Sequence, residues 1–239
     1  MNYDSCGPTT RAIRVAQDPE PPYRPAVQPL YQSATFVWDS LSNPPDIDYT
    51  RVSNPTRETL EKVIASLEGG GEGLCLSSGM AAISCAFGLL KAGDHLLVAT
   101  DIYGGTQRLM DKILPRMGIE ASSFDATQPG DLSRQARPNT VMAIYESPSN
   151  PILRICDVAA IAEEARGKGI LTVFDNTFAS PVLMNPLDLG VDIVMHSATK
   201  YISGHSDVVG GAMIGVGVGY LILRGMADSG IVFVVRTNG

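Results

Sequence analysis

The most constraining feature of the sequence is an alternation of short apolar runs with amphipathic stretches. The apolar runs lie at 74–76, 95–99, 141–145, 170–174, 193–195 and 208–214. The stretches that suit helices lie at 57–68, 81–90, 106–117 and 158–166. Apolar runs without polar alternation are typical of strands buried on both faces of a sheet. Because strands that alternate with helices favour parallel pairing, the sequence predicts an α/β fold, a mostly parallel mixed sheet with helices on both faces.

The first 48 residues lack this pattern. Prolines that interrupt any long helix or strand stand at positions 19, 21, 22, 25, 29, 44 and 45. Apolar and aromatic residues among them indicate that part of the segment packs against something; they are Leu30, Tyr31, Phe36, Val37 and Trp38. We therefore predict an extended N-terminal arm over 1–48, a large domain over 49–215 and a divergent tail over 216–239.

Charge and cysteine content exclude several classes of protein. Lys and Arg number 18 against 25 Asp and Glu, a formal net charge of −7, which argues against nucleic acid as the main partner. The sequence shows neither a secretory signal nor an apolar stretch that could span a bilayer, so no membrane is expected. The four cysteines form no CxxC pair, which predicts no metal site and reduced, buried thiols in a cytoplasmic protein.

Unusual polar residues follow the predicted strands. Lys200 comes after the run at 193–195, where lost solvation would make it an amine nucleophile, although a surface lysine in a loop is the commoner case. Asp175 ends a buried run and needs a partner, either a protonated ring nitrogen, an arginine or a helix end. Tyr103 offers an aromatic ring to a planar ligand or to the core.

A candidate anion site accompanies these residues. Ser78, Gly79 and Met80 stand where a strand turns into the helix at 81–90, and a helix N-terminus offers free amides, although an ordinary N-cap is the simpler interpretation. Ser197 and Thr199 add hydroxyls beside Lys200. A lysine amine, an acid for a ring nitrogen and a phosphate cradle suit pyridoxal 5′-phosphate (PLP). An unrelated phosphate-binding α/β domain is the alternative. The sequence contains neither the GxGxxG motif of dinucleotide-binding domains nor a P-loop motif.

Six motifs in order make the chain resemble the Cys/Met-metabolism (trans-sulfuration) family of PLP-dependent enzymes. They are YTRVSNPTRETLEKVIASLEGG (49–70), LSSGMAAI (76–83), DIYGGT (101–106), ESPSNP (146–151), FDNTFASP (174–181) and SATKYISGHSDVVGGAMIG (197–215). The resemblance runs from about Thr9 to Gly215 and implies the large domain of a fold-type-I PLP enzyme.

The resemblance also implies roles for individual residues. Lys200 matches the lysine that forms a Schiff base with PLP and moves protons, and Tyr103 matches a residue that stacks on the ring and assists acid–base chemistry. Asp175 matches the partner of the ring nitrogen. The other matched cofactor-binding positions are Tyr49, Arg51, Ser78, Gly79, Met80, Asn150, Ser197 and Thr199. Asn150 matches a contact to the 3′ oxygen of the cofactor. Tyr49 and Arg51 match residues that reach the phosphate of a neighbouring subunit, which implies a homodimer or homotetramer.

The implied activity is that of a lyase or transferase on a small sulfur amino acid. Gly105 in YGGT is similar to cystathionine γ-lyases and γ-synthases, whereas methionine γ-lyases typically carry Cys there and cystathionine β-lyases usually lack this form. O-acyl-homoserine sulfhydrylase and methionine γ-lyase activities are alternatives. Family chains continue into a C-terminal domain whose arginine binds the substrate carboxylate, and neither Arg224 nor Arg236 matches its context. A cofactor-binding remnant with weak catalysis is therefore a further alternative.

Overall fold

The computed structural model describes residues 3, 5–17 and 23–215. Its strands are β1 Glu72–Leu76, β2 His95–Ala99, β3 Glu120–Phe124, β4 Thr140–Glu146, β5 Leu171–Asp175, β6 Ile193–His196 and β7 Gly211–Gly215. Its helices are α1 Pro8–Arg14, α2 Pro55–Glu68, α3 Gly79–Phe87, α4 Gly104–Lys112, α5 Asp131–Gln135, α6 Val158–Arg166 and α7 Ser180–Leu183, with a 3₁₀ helix at Leu114–Met117.

The strands in these ranges form one sheet in the order β1-β7-β6-β5-β4-β2-β3. The pairs from β3 through β6 are parallel, whereas β7 pairs antiparallel with both β6 and β1. The predicted mixed, mostly parallel α/β sheet is therefore confirmed. The parallel strands direct their carboxyl ends to the same edge, where loops rather than ladder partners follow them.

Apolar side chains cover both faces of the sheet. In β4, Ala143 and Tyr145 pack on the face covered by α2, α5 and α6. Met142 and Ile144 pack on the opposite face with Ile83 of α3. Each of these five side chains is buried. Because a strand alternates its side chains between faces, an unbroken apolar run is needed wherever both faces are covered, and this explains the predicted strands.

Several element predictions need correction. The strand expected at 208–214 begins only at Gly211, and the helix expected at 106–117 is interrupted before Pro115, where proline allows only a 3₁₀ continuation. The pattern of apolar runs did not predict β3, α5 or α7. β3 pairs on one side only, at the sheet edge, so its half-exposed sequence EASSF lacks an apolar run.

The described part of the N-terminal arm, residues 3, 5–17 and 23–48, contains one short helix, α1, and is otherwise irregular. Phe36 is half-buried, but four of the five arm residues predicted to pack are exposed in the single chain; they are Leu30, Tyr31, Val37 and Trp38. Contacts within this chain thus leave these four side chains accessible, and their packing against another surface stays a prediction. The predicted tail at 216–239, with Arg224 and Arg236, lies outside the described residues.

Two further expectations concern membranes and cysteines. In the part of the chain that the structure describes, no helix has the length and apolar character required to cross a bilayer. The four cysteines form no disulfide, but only Cys75 is buried, and the other three are half-buried. The expectation of buried thiols is therefore right for Cys75 alone.

Asn54 joins the arm to the large domain. Its Oδ1 accepts from the amide of Thr56 at 2.9 Å and so caps α2, while its Nδ2 donates to the carbonyl of Tyr31 at 3.0 Å and to Oγ1 of Thr50 at 3.1 Å. The side chain is buried. One residue therefore starts the first long helix and holds the arm beside it.

We expect Asn54→Ala to lower the free energy of unfolding by about 2–4 kcal/mol, because it removes a cap and two further buried hydrogen bonds. Asp157→Ala is the matched control, because Asp157 caps α6 through one bond to Ala160 and its loss should cost about 1 kcal/mol. Urea titration of both variants measures the difference. Equal losses would show that the arm contacts of Asn54 contribute nothing.

Candidate active site

A cavity of about 220 Å³ lies at the carboxyl edge of the sheet, beside the start of α3. β4, β5 and β6 end at this edge, and the register of β4 with β5 sets Glu146 opposite Asp175. Nine of the predicted site residues line this cavity: Ser78, Gly79, Met80, Tyr103, Asn150, Asp175, Ser197, Thr199 and Lys200. The fold therefore brings together residues that are spread over more than 120 positions of sequence.

Tyr49 and Arg51 are the two predicted site residues that do not line the cavity of their own chain. Instead the guanidinium carbon of Arg51 lies 4.8 Å from the centroid of the Tyr49 ring, a cation–π contact. Arg51 is exposed and Tyr49 is half-buried. Both residues are thus held together on the surface, away from Lys200.

The start of α3 forms an anion cradle. Oγ of Ser78 accepts from the amide of Ala81 at 3.0 Å, so the simpler N-cap interpretation is right for this side chain. The amides of Gly79 and Met80, in the first turn, have no acceptor within the helix. A Cβ on Gly79 would lie 2.7 Å from Cβ of Ser197, so glycine permits the helix to approach Ser197. These groups fit a phosphate at the positive end of the helix.

Thr199 has a structural partner inside the chain. Its Oγ1 donates to the carbonyl of Gly210 at 3.2 Å and accepts from the amide of Gly210 at 3.0 Å. Thr199 also lines the cavity, and the predicted contact of its hydroxyl with a phosphate stays a prediction. The two bonds close the loop that carries Lys200.

Asp175 is a buried carboxyl at the end of β5. Its Oδ1 accepts from the amide of Thr177 at 2.9 Å. Burial raises the pKa of Asp175 above its ordinary value, while the bonds from Thr177 and the positive charge of His196 act in the opposite direction. Among the described residues no arginine or lysine forms an ion pair with Asp175. A protonated ring nitrogen of PLP therefore fits this carboxyl.

Glu146 is a second cavity carboxyl, which the sequence analysis missed. Its Oε1 accepts from the amide of Asn150 at 2.5 Å, and the amide of Tyr103 also bonds to the carboxyl group. Burial and the neighbouring Asp175 raise the pKa of Glu146 to about 8. The signal was present in ESPSNP, where Glu146 directly follows a predicted strand, just as Asp175 ends β5.

Other missed cavity residues are mainly apolar or structural. They are Ile83, Pro148, Thr177, Phe178, Met195 and Val209. Thr177 has a clear task, because its Oγ1 accepts from the amide of Ser197 at 2.8 Å while its own amide bonds to Asp175. It therefore connects the loops that follow β5 and β6.

Tyr103 forms one wall of the cavity and directly precedes α4. Its ring is 40% exposed. A Cβ on Gly105 would collide with this ring and lie 2.5 Å from Sδ of Met80, so glycine leaves the space that the ring occupies. The tyrosine is thus placed beside the predicted anion cradle with one part of its ring accessible to a ligand.

Lys200 lines the cavity from the loop between β6 and β7, with its amide bonded to the carbonyl of Ser197 at 3.0 Å. Its side chain is exposed in the single chain, as the alternative of a surface lysine in a loop has it. In the described ranges no carboxylate forms an ion pair with Lys200. The amine is therefore accessible to a reactant that enters the cavity.

Comparison with known proteins now gives this arrangement a family. The profile described as Cys/Met metabolism PLP-dependent enzyme matches residues 9–222. The chain belongs to this family. Cystathionine beta-lyase MetC of Bacillus subtilis (strain 168) is 51% identical over 183 residues, which are 77% of this chain and 47% of the relative. Cystathionine gamma-lyase of the same organism is 44% identical over 186 residues, 78% of this chain and 49% of the relative.

Solved structures of the family agree with the fold. A cystathionine gamma synthase from Xanthomonas oryzae pv. oryzae, crystallised with aminoacrylate and cysteine, superposes with a TM-score of 0.91 at 39% identity and covers 98% of this chain and 60% of the other. The chain spans about half the length of the curated relatives it matches. Because lyases of the β and γ types and a γ-synthase are all similar to it, similarity alone does not separate their reactions.

We expect Glu146→Gln to change how stability of the cofactor-free protein depends on pH. The pKa of the Glu146 carboxyl is 4.5 in the unfolded chain and about 8 in the folded chain. The protonated carboxyl therefore favours folding below pH 4.5. That contribution is lost as pH rises towards 8, by about tenfold per pH unit in the unfolding constant. Glutamine cannot ionise, so the variant should lose less stability across this window.

Urea unfolding at a series of pH values measures this difference. Glu120→Gln, at an exposed carboxylate, controls for the change in net charge. Parallel stability curves for wild type and Glu146→Gln would contradict the assigned environment of Glu146.

Proposed function

We propose that this chain acts in a PLP-dependent lyase or transferase of sulfur amino acid metabolism, of the cystathionine γ-lyase or γ-synthase type. The observation that carries the proposal is the meeting of Lys200, Asp175 and the first turn of α3 around one cavity. An amine, a ring-nitrogen acid and a phosphate cradle are the groups that PLP requires. O-acyl-homoserine sulfhydrylase and methionine γ-lyase activities use the same groups and stay alternatives.

When bound, PLP supplies an electron-withdrawing ring that stabilises negative charge on the carbons of an amino acid. In our proposal the amides of Gly79 and Met80 and the hydroxyl of Ser197 bind its phosphate. The carboxylate of Asp175 keeps a proton on the ring nitrogen, which preserves the electron-withdrawing character. The side-chain amide of Asn150 orients the ring through its 3′ oxygen.

Lys200 and Tyr103 carry the proton transfers in this proposal. Nζ of Lys200 would hold PLP covalently, and the same amine would move protons between neighbouring substrate carbons. The Tyr103 ring stacks on the cofactor, and its hydroxyl holds or delivers a proton near the leaving sulfur. Both side chains reach the cavity from loops next to the ends of strands, the usual place for ligands in such sheets.

The proposed assembly is a homodimer or a tetramer built from two dimers, with sites shared between subunits. Exposed arm residues and the pair of Tyr49 and Arg51 support it, because none of these residues lines the cavity of its own chain. Arg51 would add a charge-assisted contact to the phosphate bound by the partner. We also propose a cytoplasmic location.

A second candidate function is PLP binding with little catalysis. Among the residues that line the cavity, Lys200 is the one cation, and it is committed to the cofactor in our proposal. Hence no arginine of this cavity binds the carboxylate of a substrate. This arrangement favours a chain that holds PLP but retains substrates weakly.

Borohydride reduction after incubation with PLP should attach the cofactor to Lys200. Lys200→Ala should abolish the adduct because it removes the only side-chain amine among the described residues that line the cavity. Lys168→Ala, at an exposed lysine outside the cavity, is the matched control and should keep the adduct. Peptide mass mapping locates the modification. A cavity-specific adduct that persists in Lys200→Ala would refute the assignment.

Cystathionine as substrate separates the two candidate functions and the two lyase types. Cleavage on the four-carbon side of the sulfur releases a four-carbon 2-oxo acid, whereas cleavage on the three-carbon side releases a three-carbon one. Chromatography of the products identifies the acid. An adduct on Lys200 without release of either acid, and without formation of cystathionine from cysteine and an O-acyl-homoserine, would favour the cofactor-binding candidate.

Mixed dimers test whether subunits share the site. Arg51→Ala should weaken PLP retention on the order of tenfold, the value of one charge-assisted bond. A dimer of one Arg51→Ala chain with one Lys200→Ala chain should regain one intact site, measured as PLP retained after dialysis. Arg134→Ala, at an exposed arginine paired with Asp131, is the control. Failure of mixing to restore retention would contradict a shared site.

A further inference from the structure

A buried polar cluster lies behind the candidate active site. Its members are Glu68, Asn176 and His196, which we call the Glu68 cluster. Oε1 of Glu68 accepts from Nε2 of His196 at 2.6 Å and from Nδ2 of Asn176 at 2.7 Å. Glu68 and Asn176 are 0% exposed and His196 is 1% exposed. The cluster joins the end of α2 to the ends of β5 and β6.

This cluster is a costly way to hold a fold together. Glu68 is the last residue of α2, where a negative charge opposes the helix dipole. Oε2 of Glu68, Oδ1 of Asn176 and Nδ1 of His196 have no hydrogen-bond partner among the described residues. Apolar residues of similar volume often replace a buried ion pair without loss of stability. A purely structural contact at this place would therefore not require these three residues.

The position of the cluster points to Asp175. Asn176 directly follows Asp175, and its amide donates to the carbonyl of Met195 at 3.0 Å, which continues the pairing of β5 with β6. His196 ends β6 and directly precedes Ser197 of the predicted phosphate site. The positive form of the imidazole opposes the effect of burial on the pKa of Asp175. No other described cation exerts a resolved effect on that carboxyl.

We propose that Glu68 and His196 are positioning residues for Asp175. Glu68 holds the imidazole of His196 through the 2.6 Å bond and the amide of Asn176 through a 2.7 Å bond, and these bonds fix the ends of β5 and β6 so that the Asp175 carboxyl is set for the ring nitrogen of PLP. This inference rests on the proposed function, because it assumes that Asp175 faces that nitrogen. The two residues contribute no wall to the cavity and act only through Asp175.

Two cofactors distinguish positioning from mere support of the fold. PLP has the ring nitrogen, whereas its 1-deaza analogue carries a CH group there and forms no bond with Asp175. Fluorescence titration of the full chain measures the dissociation constants of both ligands. The dissociation constant of the analogue divided by that of PLP reports the ring-nitrogen contact alone. General damage to the site weakens both ligands and leaves the ratio unchanged.

His196→Gln should reduce this ratio on the order of tenfold, the lower end of effects seen for outer partners of metal-binding residues. Glu68→Gln should reduce it in the same direction, and it serves as the second variant should His196→Gln fail to fold. His95→Gln is the matched control, because His95 is equally buried and bonds to Thr140 at 2.7 Å and Ser122 at 2.9 Å, away from the cavity. It should lower thermal stability and leave the ratio unchanged.

An unchanged ratio in folded His196→Gln or Glu68→Gln would overturn the inference while leaving the proposed function intact. An equal reduction in His95→Gln would also overturn it. A wild-type chain that binds PLP no better than the 1-deaza analogue would overturn the role of Asp175 itself, and the inference with it.

Discussion

The parallel pairing of β4, β5 and β6 is the constraint on which the site depends. It brings three strand ends to one edge and places Glu146 directly opposite Asp175. Two carboxyls buried side by side are unfavourable in an apolar interior. The fold tolerates them because apolar side chains pack on both faces of the sheet and hold the strands in place. The free energy of this packing offsets the unfavourable burial of the two carboxyls.

The two carboxyls have different neighbours. Glu146 receives two backbone amides, yet burial and the adjacent acid keep its pKa at about 8, so it holds its proton at neutral pH. Burial raises the pKa of Asp175 as well, and the hydrogen bonds from Thr177 act against that rise. Neighbouring acids of the same chemistry are thus suited to different tasks, one as a neutral support of two loops and the other as the partner of a cation.

The strand ends could be read from the sequence because buried parallel strands have unbroken apolar runs, and Asp175 and Lys200 stand just after two of them. Contacts between distant loops could not be read in this way. The bonds of Thr199 with Gly210 depend on how the chain returns after β6. Glu146 stands after a predicted strand in the same way, but its bonds to the amides of two loops could not be read from that position. β3 lacked a signal because an edge strand needs only one apolar face.

The bonds between Thr199 and Gly210 have a consequence for how the neighbouring amine moves. They lie one residue from Lys200, whose own amide is tied to the carbonyl of Ser197. The backbone pivot of the lysine is therefore fixed, and its nitrogen travels by rotation about the bonds of its flexible stem. Such rotations take picoseconds to nanoseconds, far less than the microseconds of a loop movement. The length of the lysine side chain, rather than the rate of a loop movement, would then determine between which atoms the amine transfers protons.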